Sequence, residues 1–143
     1  MALPPEIEVL FPGLASGYQQ TSDADPLYNC IGHAAGDRDV WWQPTRGRFW
    51  PRRAPRDYSL GALKAALSSV DYAPCASGAL EAGIEKVALF VGPTGEYLHA
   101  ARQLEDGLWS SKIGNNEDIR HELSQLEGTE YGTVAAFMSR PRR

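Results

Sequence analysis

Glu85-Lys86-Val87-Ala88-Leu89-Phe90-Val91, closed by Gly92-Pro93-Thr94-Gly95 and continued by Glu96-Tyr97-Leu98-His99-Ala100-Ala101-Arg102-Gln103-Leu104, reads as a strand, a tight turn and a returning strand. Glu105-Asp106-Gly107 supplies the next turn and Leu108-Trp109-Ser110-Ser111-Lys112-Ile113 a third strand, so an antiparallel meander is expected. Downstream, Thr133-Val134-Ala135-Ala136-Phe137-Met138 is a last strand. Asn115 to Leu126 reads as a loop and helix with Ile119, Leu123 and Leu126 on one face. Upstream, Leu60, Leu63, Leu67 and Val70 recur at helical spacing behind Ser59, which predicts an amphipathic helix over 58–70. Residues 71–85, with Pro74, Gly78 and Gly83, read as connection, apart from a short helical turn at Ala79 to Ala82.

Ahead of this lies Tyr28-Asn29-Cys30-Ile31-Gly32-His33-Ala34-Ala35-Gly36. Pro26 discourages helix before it, and Asn29 is a good N-cap for the small residues that follow. Cys30 is then the first helical residue, where unpaired N–H groups and the helix dipole favour thiolate over thiol. The competing reading is a buried, inert thiol, since free cysteines are among the most buried residues.

The 143 residues, 43% of them hydrophobic, suit one domain over 1–143: an irregular lead-in at 1–25, a core at 26–139 and a basic tail at 140–143. A net charge of −4 and a pI near 5.3 argue against an overall positive field for nucleic acid or an anionic membrane. Arg46, Arg48, Arg52, Arg53 and Arg56 nevertheless form a local basic cluster among aromatic residues. No stretch reaches transmembrane length and no basic n-region opens the chain, so a cytoplasmic location is expected. Cys30 and Cys75 lack metal-ligand spacing, and a site from Cys30, His33 and His99 lacks a second paired motif; no metal or cofactor is expected.

A cysteine at a helix start, followed by an antiparallel sheet whose second strand bears a histidine, is the layout of papain-like hydrolases. The fold expected is therefore α+β and papain-like, an N-terminal Cys-bearing helix packed on a small antiparallel meander. Cys30 is the candidate nucleophile and His99 the base. Hairpin counting sets His99 opposite Lys112 or Ile113; Ser111 is the candidate orienting residue, with Asn115 behind it. His33 is a second-choice base, and His121 reads as a surface or capping residue. Tyr28, Asn29, Trp41, Trp42, Trp50 and Lys112 are candidates to line the substrate cleft, although large aromatics more often form core.

Tyr28-Asn29-Cys30-Ile31 with Ala34-Ala35-Gly36, Trp41-Trp42 with Pro44, Trp50-Pro51, Glu85-Lys86-Val87-Ala88-Leu89, His99-Ala100-Ala101-Arg102-Gln103, Gly107 with Trp109, and Ser111-Lys112 with Gly114 resemble the blocks of an uncharacterised bacterial domain family. The resemblance spans roughly residues 26–140 and implies matching positions rather than an activity. It implies Trp at the position of His33 and Leu at that of Ile113, which argues against His33 as an essential ligand. The element order is also similar to papain-like cell-wall endopeptidases, whose base often starts the first strand, where this chain has Glu85-Lys86. Two functions are thereby expected: a cysteine hydrolase or acyltransferase acting on a peptide or small-molecule amide or thioester, or a non-catalytic module recognising a protein or ligand through segment 41–58.

Overall fold

The computed structural model describes residues 9–113 and 117–143. Strands β1 (Gln19–Gln20), β2 (Ala73–Cys75), β3 (Ile84–Val91), β4 (Tyr97–Gln103), β5 (Trp109–Lys112), β6 (Asp118–His121) and β7 (Thr133–Pro141) form one seven-stranded sheet. Their order is β1-β6-β5-β4-β3-β7-β2, and every neighbouring pair is antiparallel. Short helices α1 (Cys30–Ala35) and α2 (Leu60–Ser68) pack on one face.

The central strand β3 explains the arrangement. Val87, Ala88, Leu89 and Phe90 are all buried, so both faces of the sheet must be covered. Val87 and Leu89 join Ala100, Met138 and the apolar faces of α1 and α2 in one cluster. Ala88 and Phe90 join Ala101, Trp109, Ile119 and Leu126 in the other, roofed by Phe11 and Leu14 of the lead-in. Helix α2 begins where Ser59 Oγ accepts the Ala62 N–H at 3.0 Å and buries Ala62, Leu63, Ala66 and Leu67. Between Gly128 and β7, Gly132 (φ +71°) lies so close to Val91 that a Cβ would stand 1.9 Å from its carbonyl oxygen.

This architecture overturns the papain-like expectation. The cysteine helix has six residues and is one part of the cover on a seven-stranded sheet, not an organising helix on a small meander. The sheet is larger because three segments read otherwise from sequence supply strands. Residues 19–20 of the supposed irregular lead-in pair with β6. Ala73–Cys75, read as connection, pairs with β7, and Pro74 is accommodated because β2 is an edge strand. The helix expected at 115–126 is instead β6 followed by a 3-10 turn at Leu123–Gln125; the Ile119, Leu123, Leu126 spacing reflects separate packing contacts rather than one helical face. Ala79 to Ala82 is not helical, and Asn115 lies outside the described residues. The basic tail is held: Arg140 is buried, and the Arg142 N–H donates to Gly83 O at 2.8 Å.

Candidate functional site

Asn29 caps α1 with one side chain that also fastens the next segment. Its Oδ1 accepts the N–H groups of Gly32 and Trp42, each at 3.0 Å, and its Nδ2 donates to Trp42 O at 2.7 Å. Cys30 therefore stands at the helix start, half-buried, in a cleft of about 250 Å³ shared with Gln43, Tyr58, Glu96, Tyr97 and Leu98. The wall is an aromatic shelf: Tyr58 stacks on Tyr97 at 5.4 Å, and Trp50 lies parallel to Tyr97 at 6.1 Å. Gln43 Nε2 and Thr45 Oγ1 hold the Tyr58 hydroxyl at 2.8 and 2.7 Å.

The expected thiolate is not what this site stabilises. Burial pushes the Cys30 thiol up to about 11, outweighing the backbone N–H groups of Ala100, Ile31 and Cys30 that pull it down. The helix start acts in the anticipated direction but is the smaller effect.

His99 lies on the other face of the sheet. Its strand partner is Phe90, and a bulge at Leu98 lets Tyr97 face α1 while His99 faces away. The ring is fully buried, stacked on Tyr131 at 4.0 Å with Phe90 at its edge. The structure thus does not bring Cys30 and His99 together as a hydrogen-bonded pair. Ser111 does meet the imidazole: its Oγ is 2.9 Å from His99 Nε2 and 2.7 Å from His121 Nε2.

Hydrogen-bond logic assigns the protons along this relay. His121 Nδ1 lies 2.8 Å from Glu122 O, which can only accept, so Nδ1 carries the proton and the Nε2 of a neutral ring accepts from Ser111. Ser111 Oγ in turn accepts from His99 Nε2–H. His99 Nδ1 is buried and has no hydrogen-bond partner among the described residues. Burial lowers the pKa of His121 to about 4 and of His99 well below the ordinary value, keeping both rings neutral.

His33 belongs to a different cluster, under α1. Its Nε2 is 2.8 Å from Ser110 Oγ and its Nδ1 faces Asp118 Oδ2 at 3.8 Å. Asp118 Oδ2 also accepts from Tyr28 OH at 2.8 Å and Arg38 Nη2 at 2.9 Å. Lys112 Nζ donates to Asp25 O at 2.6 Å and lies over the Tyr28 ring. Tyr28 and Lys112, expected at a substrate cleft, therefore support this cluster, while Trp42 and Trp50 are core residues at 2% and 3% exposure. Of the tryptophans in segment 41–58, Trp41 alone remains half-exposed, under Arg48.

The chain's three histidines are all buried, and burial lowers His33, like His121, to about 4. The unfolded chain, with histidine near 6.5, then binds more protons, so stability is full above pH 6.5 and falls as pH drops towards about 4. We expect a loss on the order of 2 kcal/mol per ring, read as a falling urea midpoint between pH 7 and 4.5. A flat midpoint across that interval contradicts the buried neutral rings.

What fold and site define is a seven-stranded antiparallel domain with a thiol at the floor of an aromatic cleft and two buried histidine clusters on opposite faces. The chain belongs to the family described as a domain of unknown function, DUF7689, which matches residues 19–139. No curated protein and no solved structure matches it. Among the described residues no group of three His, Cys, Asp or Glu side chains could hold a metal ion, and no helix is long and apolar enough to cross a membrane.

Sequence reasoning missed Gln43, Tyr58, Glu96, Tyr97 and Leu98 as cleft residues, and Arg102 and Asp118 as members of the buried cluster. The exposed aromatic Tyr58 within an arginine-rich run was the one available signal for the cleft. Nothing local announced Asp118, whose position depends on the β5–β6 register.

Proposed function

We propose that the chain is a recognition module in which segment 41–58 and the start of β4 hold an acidic polypeptide segment, with one apolar side chain entering the cleft beside Cys30. The observation that carries this reading is the composition and exposure of segment 41–58, which lends two residues to the cleft. Arg46, Arg48, Arg52, Arg53 and Arg56 are exposed on the segment that supplies Gln43 and Tyr58 to the cleft, and Phe49 and Tyr58 are 47% and 42% exposed. Within an acidic chain that is a locally reversed field beside exposed aromatic surface. Size favours a side chain over a whole ligand, since sites for drug-sized molecules run to about 300–1,000 Å³ and this cleft has about 250 Å³. Recognition is favoured over catalysis at Cys30 because the thiol is held neutral and the ring of His99 is turned to the other face.

Fluorescence polarisation with a fluorescein-labelled Asp/Glu-rich peptide carrying one Phe tests the proposal. Micromolar binding is expected, weakened about tenfold or more by Tyr58→Ala, by Arg46→Glu with Arg52→Glu, and by raising salt. Binding that is absent at millimolar peptide, or unchanged when the Phe is replaced by Ser, contradicts it.

A further inference from the structure

The cavity between α1 and strands β4 to β6 carries chemistry independent of the cleft at Cys30. It has a volume of about 210 Å³ and is lined by Thr21, His33, Arg38, Arg102, Ser110 and Asp118, with Leu104 at one side. Three polar atoms of its lining, His33 Nδ1, Arg102 Nε and Asp118 Oδ1, are buried without a hydrogen-bond partner among the described residues. Each such atom costs about 1–3 kcal/mol when left unpaired, so their convergence on one cavity calls for a polar occupant.

We propose that this cavity is a serine-type acyl-transfer site for esters whose acyl group carries a negative charge, with Ser110 as nucleophile, His33 as base and Asp118 as the residue that positions the base. The roles follow from this chain's own geometry and are particular to it, since the family resemblance implies Trp at the position of His33. Ser110 Oγ is 2.8 Å from His33 Nε2, and the opposite ring nitrogen faces Asp118 Oδ2 at 3.8 Å, the order of contacts a serine, histidine and aspartate relay requires. That second contact is longer than a hydrogen bond, as catalytic contacts often are before substrate arrives. Ser110, His33 and Asp118 come from β5, α1 and β6, and Tyr28 OH and Arg38 Nη2 donate to the same carboxylate oxygen, Oδ2, that faces His33.

In the first step the Ser110 oxygen bonds to the ester carbonyl carbon while its proton passes to His33 Nε2 and the carbonyl electron pair moves onto oxygen. Arg102 is the strand partner of Ser110, and its unpartnered Nε–H is the donor available to that oxyanion. Collapse breaks the ester C–O bond, and the alcohol leaves with the proton from His33. Water then attacks the acyl-serine, gives its proton to His33, and Ser110 departs with that proton as the carboxylic acid forms. No further reactant is needed.

The charges select the substrate. Arg38 and Arg102 line the cavity with His33 and Asp118, and Lys112 adds its charge to theirs at the imidazole. These cations, added to burial, hold His33 low, so an anionic acyl group that pairs with Arg38 raises the basicity of the imidazole at the moment it binds. A neutral ester occupies the site without that effect.

The test is labelling of the full chain with a fluorophosphonate probe, with the adduct located by mass spectrometry, and hydrolysis of mono-p-nitrophenyl succinate against p-nitrophenyl acetate. We expect an adduct on Ser110, lost in His33→Gln and retained in Cys30→Ala. The succinate should be preferred by about tenfold or more in kcat/KM, a preference removed by Arg38→Gln. Asp118→Asn should lower kcat more than it raises KM. No adduct on Ser110 of the folded wild-type chain, or hydrolysis that survives Ser110→Ala or vanishes in Cys30→Ala, overturns the proposal.

Discussion

Arg140→Met is expected to destabilise the protein by about 3–5 kcal/mol, the usual cost of breaking a buried ion pair from one side. Arg140 and Glu85 are 4% and 2% exposed, and the Arg140 Nε–H donates to Glu85 Oε1 between β7 and β3. The same guanidinium donates to Val70 O at 2.8 Å and Ala35 O at 3.3 Å, and lies over the Tyr72 ring at 4.2 Å. It thus ties the ends of both helices to the sheet. Replacing it leaves the Glu85 carboxylate in the interior with no counter-charge, which is a larger loss than the pair's own net contribution. The double variant Glu85→Leu with Arg140→Met should therefore recover much of the stability, and urea unfolding of the three variants measures both effects. Equal losses in the single and double variants would show that the charges are not the cause.

Trp50→Ala is expected to cost about 3–5 kcal/mol, as for other large aromatic side chains removed from a core. Trp50 is 3% exposed, stacks parallel to Tyr97 and donates its Nε1–H to Pro55 O at 2.9 Å. Its loss removes the backing of the Tyr97–Tyr58 shelf, so peptide affinity should fall along with stability. Trp41, half-exposed under Arg48, supplies the internal contrast: Trp41→Ala should cost about 1 kcal/mol or less. Comparable losses at the two positions would place Trp41 in the core as well and contradict the packing described.

The meander of β3, β4 and β5 was legible because alternation and turn chemistry are local: Gly92 to Gly95 and Glu105 to Gly107 close where the turns were expected. Helix α2 was legible for the same reason. Strand β7 was legible too, starting at Thr133 as expected and running on to Pro141, but β1, β2 and β6 were not, because they have two to four residues each and exist through partners far away in sequence. The position of Cys30 at a capped helix start was readable from Asn29. The setting of its sulfur was not, since burial is a tertiary property and here it outweighs the helix start.

His99 shows the same limit from the other side. Counting along the hairpin from the Arg102 and Ser110 pair would set it opposite Ile113, yet β4 and β5 stop pairing before reaching it; its face follows the regular register with Phe90 of β3, and the bulge at Leu98 sends Tyr97 to the opposite face. A one-residue irregularity reverses which side of a sheet a side chain occupies. No periodicity in the sequence carries that information.

The choice of recognition over catalysis at Cys30 rests on a neutral thiol that no imidazole activates, and the pH dependence of its alkylation by iodoacetamide in a Cys75→Ser background tests this most directly. A rate that climbs without a plateau towards a thiolate pKa of about 11, and that is unchanged by His99→Gln, is the predicted result. Fast modification already complete in its pH dependence near pH 6, and abolished by His99→Gln, would contradict it.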